Sequence, residues 1–148
     1  FYNVPGLNFL QGRAEKIPFE ASSCDALINV ESARCYSNIS TFFNEVHRVL
    51  TPSGHFLFAD MIEKEKLDEI RTDLKKSGFI IEKETDITNN VAKGLECDTS
   101  RREKLIKRKI PGALQGLFAN FAGTEGTERF NSFRNGKFQY WSFVLVKS

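Results

Sequence analysis

Two short runs of unbroken apolar residues, Ala26–Val30 (ALINV) and Phe56–Ala59 (FLFA), constrain the fold most. A strand with one wet face alternates apolar and polar side chains. A run that is apolar at every position needs cover on both faces, as in a parallel sheet between helices. Between the two runs, Phe42, Phe43, Val46, Val49 and Leu50 recur at helical spacing. Ser40 offers an N-cap, and Pro52 with Gly54 ends the helix. Strand, helix and strand within about 35 residues make a βαβ unit with a right-handed crossover.

The flanking segments extend this pattern. Leu7–Gln11, after Pro5-Gly6, reads as a strand. A helix is predicted from about Glu65 to Lys76, with Leu67, Ile70 and Leu74 as its stripe and Gly78 as its stop. Lys75 and Lys76 suit the negative end of its dipole. Phe79–Ile87 reads as a further strand. A very polar helix is expected from about Asn89 to Lys109, and a short amphipathic one over Leu114–Phe121. Phe130–Phe133 and Phe138–Val146 flank Asn135-Gly136, which signals a hairpin. The expected class is α/β with an antiparallel C-terminal hairpin, one domain over residues 1–148.

Composition narrows the function classes. The formal net charge of +2 does not favour nucleic acid as a partner. The longest apolar stretches are of strand length, so no transmembrane segment is expected. Cys24, Cys35 and Cys97 are odd in number and lack CxxC or metal-ligand spacing, as in a cytoplasmic protein with reduced thiols and no metal site. No secretory leader opens the chain. Its first residue is Phe1 rather than Met, which suggests an N-terminally incomplete or processed chain.

Several segments together resemble class I S-adenosyl-L-methionine-dependent methyltransferases of the methyltransferase type 11 group. Leu10–Phe19 (LQGRAEKIPF) resembles their GDAExLPF segment, and Asp25–Glu31 (DALINVE) their fourth strand. Phe42–Gly54 (FFNEVHRVLTPSG) resembles their FLxExxRVLkPGG helix and turn, and Phe56–Asp60 their fifth strand. The segment NVESARCY and the tail SFRNGKFQYWSFVL are most similar to mycobacterial phthiotriolone/phenolphthiocerol dimycocerosate methyltransferases. The resemblance covers nearly the whole chain and rests on the set of motifs rather than on any one.

The resemblance implies a Rossmann-like sheet of order 3-2-1-4-5-7-6, of which this chain would supply strands three to seven. The glycine-rich loop after strand one and the acidic residue after strand two would lie outside it. It also implies S-adenosyl-L-methionine as cofactor and a small or lipid-like molecule as methyl acceptor, through O-methylation. By the same resemblance Arg13, Ala14, Glu15, Asn29 and Val30 would bind the cofactor. At Arg13 the family carries a carboxylate that accepts from the adenine amino group, whereas a guanidinium only donates. Arg13 is therefore either a solvated cation or a rewired contact. The Ala14 amide can still meet the ring, and Ile17 and Phe19 can supply apolar surface or simply pack the loop.

Glu31 and Asp60 follow the carboxyl ends of strands, where open α/β sheets bind ligands. Glu31 is by position the better candidate general base for a hydroxyl acceptor, or else it caps or braces the loop; Asp60 is a base or a substrate contact, or else it caps the following turn. Arg34 stands where the nearest family members carry His, and it cannot shuttle a proton. His47 and His55 are expected at the surface. The aromatics Phe130, Phe133, Phe138, Tyr140 and Trp141 serve either the core or an apolar pocket. The basic run Arg101, Arg102, Lys104, Lys107, Arg108 and Lys109 is either a solvated helix face or a contact for acidic lipid.

Three functions stay open. The chain belongs to an intact methyltransferase and is inactive alone, or it is a degenerate module for interaction or regulation. A different Rossmann-like enzyme is the third, although no GxGxxG follows a strand. With strands one and two elsewhere, Ala26–Val30 would be an exposed apolar edge prone to self-association.

Overall fold

The computed structural model describes residues 4–122, 127, 131, 132 and 135–148. Four strands form one sheet: β1 (Cys24–Val30), β2 (Leu50–Glu63), β3 (Phe79–Asp86) and β4 (Phe138–Lys147). Their order is β1-β2-β4-β3. β1 and β2 run parallel, and β4 is inserted antiparallel between β2 and β3. This is the 4-5-7-6 portion of the expected order. The helices are α1 (Ile39–Val49), α2 (Leu67–Lys76), α3 (Thr88–Lys109) and α4 (Gln115–Ala122).

α1 and α2 cover one face of the sheet. Phe42, Phe43 and Val46 from α1 and Ile70 and Leu74 from α2 are buried in one cluster with Phe56, Phe58, Phe79, Phe143 and Leu145 of the strands. Phe43 meets Phe58 edge-on, with ring centroids 5.5 Å apart, the geometry that opposed ring quadrupoles favour. Ser40 is not the cap of α1. Asn38 is, its side chain accepting from the Thr41 amide at 2.8 Å. Ser40 instead lies inside the helix and donates to Asp73, tying α1 to α2. His47 is half-buried rather than superficial, packed edge-on to the Phe79 ring at 5.4 Å. His55 is at the surface, 3.5 Å from Glu82.

Two expected elements differ. Leu7–Gln11 forms no strand, and Phe9 is 73% exposed. A strand exists through its ladder, and no described strand neighbours this segment to accept its amides. At the other end, the Asn135-Gly136 turn is present, with Gly136 at φ 73°. However, Asn131 and Ser132 are helical, and β4 takes β2 and β3 as its partners. The antiparallel end is thus an inserted strand, because a central slot satisfies both edges of β4 where a local hairpin would satisfy one. Phe130 and Phe133 lie outside the described residues.

The opposite face of the sheet is barer. Ile28 is 67% and Val30 57% exposed, and Leu57 and Ile80 are exposed as well. β1 is an edge of the described sheet.

Candidate functional site

Because β1 and β2 are parallel, their carboxyl ends reach one rim together. Val30 pairs with Ala59 at the end of the ladder. The Glu31 amide then donates to the Ala59 carbonyl at 3.0 Å, and the chain turns away with Glu31 at φ 55°. A positive φ is uncommon for a residue with a Cβ and marks local constraint.

Asp60 is 2% exposed. Its Oδ2 accepts from the Ala33 amide at 2.8 Å and its Oδ1 from the Met61 amide at 2.7 Å. Burial pushes its carboxyl above the usual range, against the pull of those amides and of the Arg34 charge. With both oxygens engaged, Asp60 holds the 31–36 turn against β2.

Asn29 is buried on the helix-covered side of β1. Its Nδ2 donates to the Ser32 hydroxyl at 2.8 Å and to the Tyr36 hydroxyl at 2.7 Å, and those hydroxyls lie 2.8 Å from each other. Its Oδ1 is buried with no partner among the described residues. An unmet buried acceptor costs about 1–3 kcal/mol, so a donor reaching Asn29 would recover part of that. The Val30 side chain points to the barer face.

Glu31 shares its neighbourhood with Tyr140 of β4, which is 5% exposed. Burial first, then the Glu31 and Asp60 charges and a hydrogen bond with Glu31, hold the Tyr140 hydroxyl far above the usual phenol range. Tyr140 is therefore held as the neutral phenol. Alternation along β4 marked it only as one of several aromatics. Its role depends on β4 sliding in beside β2, a tertiary event that local pattern does not reveal.

The loop carrying Arg13, Ala14 and Glu15 is pinned beneath this rim. Arg48 donates to the carbonyls of Ile17 (3.0 Å) and Phe19 (2.9 Å), and Glu45 accepts from the Ile17 amide at 3.0 Å. Arg48 and Glu45 also bond each other at 2.8 Å. Ala14 and Ile17 are partly buried against the core. Glu15 accepts from the Ser37 amide at 2.9 Å. Its own amide and that of Ser37 hold its carboxyl below the usual range. Arg13 extends into solvent, 4.0 Å from Glu15.

Two hollows open beside the rim. One, of about 540 Å³, has an apolar floor that includes Ile39, Phe58, Ile62, Ile70 and Phe138, and is edged by Asp60, Glu63, Glu69 and Asp73. The other, of about 720 Å³, includes Asn120, Asn131 and Lys137. Arg34, Met61 and Phe138 line both. Among the described residues no group of His, Cys, Asp and Glu converges as a metal site.

Comparison with known proteins follows the same lines. The methyltransferase domain family matches residues 2–58. A phthiotriol/phenolphthiotriol dimycocerosates methyltransferase of Mycobacterium leprae is 31% identical over 146 residues, 99% of this chain and 54% of that protein. A phosphoethanolamine N-methyltransferase of Haemonchus contortus, solved with S-adenosyl-L-methionine, superposes with a TM-score of 0.76 at 18% identity, over 90% of this chain and 35% of that one. The chain carries the class I methyltransferase fold. A fatty-acid O-methyltransferase of Mycolicibacterium smegmatis is 28% identical over 99% of the chain and 53% of its own length. The chain spans about half the length of the curated methyltransferases it matches.

Proposed function

We propose that this chain forms the acceptor side of an S-adenosyl-L-methionine-dependent methyltransferase that methylates a hydroxyl oxygen of a small or lipid-like molecule. The observation that carries this reading is the rim at the ends of β1 and β2. There Glu31 leaves β1 at φ 55° near the buried Tyr140 of β4, and Asp60 holds the turn that follows Glu31 through the Ala33 amide. The lipid methyltransferases among its relatives support the substrate class.

The residues present fit the cofactor that the fold family implies. Asn29 offers a buried acceptor without a partner, and Ala14 and Ile17 offer half-buried apolar surface on a pinned loop. Arg13, Glu15 and Val30 complete the proposed cofactor side, with Arg13 as a donor where the family has an acceptor. When bound, the cofactor supplies an electrophilic methyl group. Tyr140, kept neutral by burial, would serve as the donor that orients Glu31 at the rim. Glu31 accepts the proton that the acceptor hydroxyl loses, general-base assistance worth about 10²–10⁴ in rate. The apolar hollow aligns the acceptor chain, so that positioning supplies much of the remainder.

Charge favours a neutral hydroxyl over a carboxylate acceptor. The apolar hollow carries four carboxylates (Asp60, Glu63, Glu69, Asp73) against two cations, Arg34 and Lys66. Lys66 is already 3.0 Å from Glu63, and Arg34 faces Asp60. An anionic head group would meet like charge there.

The isolated chain is proposed to be inactive, since its sequence contains no glycine-rich turn after a strand. The test is a chimera in which this chain replaces the matched segment of the Mycobacterium leprae relative. Transfer to a long-chain alcohol at a rate above that to the corresponding fatty acid agrees with the proposal. A folded chimera that transfers to neither, or prefers the acid, contradicts it. A chimera that binds S-adenosylhomocysteine yet transfers nothing would favour the non-catalytic module, the reading for which the exposed Arg13 speaks.

A further inference from the structure

Apart from Asn120, which lines the second hollow, the α3–α4 corner takes no part in the rim. From Lys104 to Ala122 the chain carries Lys104, Lys107, Arg108 and Lys109 and no Asp or Glu. The same stretch exposes large apolar side chains: Leu105 at 38%, Leu114 at 45%, Leu117 at 67% and Phe118 at 41%. One turn earlier the charge is balanced: Arg101 and Arg102 both bond Asp98, at 2.7 and 2.8 Å, and Glu103 supplies the second carboxylate. The unbalanced charge therefore coincides with the exposed apolar side chains.

Side chains tie the corner together. Arg102 Nη1 donates to the Ala122 carbonyl at 2.5 Å, joining α3 to the end of α4. Gln115 Nε2 donates to the Ile110 carbonyl at 3.0 Å and closes the intervening turn. Basic and apolar groups are thus presented together. No described helix is long and apolar enough to cross a membrane. In water four neighbouring apolar side chains are unfavourably placed, and a solvated helix face has no use for them. At a bilayer interface the apolar groups enter the acyl boundary while the cations meet anionic head groups.

We propose that the α3–α4 corner docks this protein peripherally onto an anionic lipid bilayer. The occupant is a membrane surface rather than a single lipid molecule, since the cations and exposed apolar side chains of the corner line none of the hollows described above. Such docking would bring a rim that methylates lipid-like acceptors to the phase that holds them, but the inference stands on the corner alone.

The test is sedimentation of the full chain with vesicles of phosphatidylcholine, with and without phosphatidylglycerol, at physiological salt. The expected result is partitioning at least about tenfold stronger onto the anionic vesicles, weakening as salt rises. Replacing Lys107, Arg108 and Lys109 by Gln should remove the preference for anionic vesicles. Leu117→Ser with Phe118→Ser should weaken binding to both compositions by about tenfold. All five side chains are exposed, so the thermal transition should not move. Equal partitioning onto both compositions, absence of sedimentation with either, or binding unchanged by both variants would overturn the proposal. So would displacement of the protein from anionic vesicles by single-stranded RNA acting through the same lysines and arginine.

Discussion

Gly78 follows α2 with φ 91°, and a Cβ built there would stand 2.6 Å from His47 Nε2. Two independent costs therefore meet at one position, a left-handed backbone and a clash with a ring. Gly78→Ala should destabilise the fold by about 1–3 kcal/mol, read as a lower urea midpoint with an unchanged slope. His47 itself has a buried Nε2 without a partner among the described residues. Burial, then the Lys147 charge, lowers its pKa from the ordinary 6.5. The unfolded chain thus takes up this proton at a higher pH than the folded one. Its contribution to stability is complete above pH 6.5 and is lost as pH falls through the depressed folded value. The urea midpoint should drop below that pH, and His47→Phe should flatten that part of the curve.

The loop that would face the cofactor owes its position to α1. Arg48 and Glu45 lie one turn apart on that helix and grip Ile17 and Phe19 by their backbone atoms. Arg48→Ala should leave the helix intact and speed amide hydrogen exchange over residues 14–19, while β1 and β2 stay protected. Most of the elements were legible in the sequence. The unbroken apolar runs marked β1 and β2 as strands, although among the described residues only one face of them is covered, and α1 and α2 carried clear stripes. The cap of α1 was misplaced by two residues because Asn38 and Ser40 are chemically equivalent candidates. The path of β4 was hidden for a stronger reason. A turn signal at Asn135-Gly136 predicts a local partner, but the central slot between β2 and β3 lies far away in sequence. Tyr140 was missed with it. By contrast, Glu31 and Asp60 were singled out as candidates by a rule that needs only strand ends and their direction.

At the scale of the molecule, one face of the sheet is covered by α1 and α2, and the other exposes Ile28, Val30, Leu57 and Ile80 beside the open edge of β1. Such an edge offers unpaired backbone donors and acceptors next to apolar side chains. Sedimentation velocity of the isolated chain should therefore show concentration-dependent self-association, and Val30→Lys should shift it toward monomer. A monomer at all concentrations would mean that this edge is covered in another way. The proposed methyl transfer depends on the rim where β1 and β2 end and Glu31 follows the last pair of the ladder. Its most direct test is the pair of turnover constants for Glu31→Gln in the chimera with the Mycobacterium leprae relative. A fall in kcat of about 10²–10⁴ with KM little changed is the result expected of a proton acceptor at the reacting hydroxyl. Full kcat in the folded variant would contradict the account.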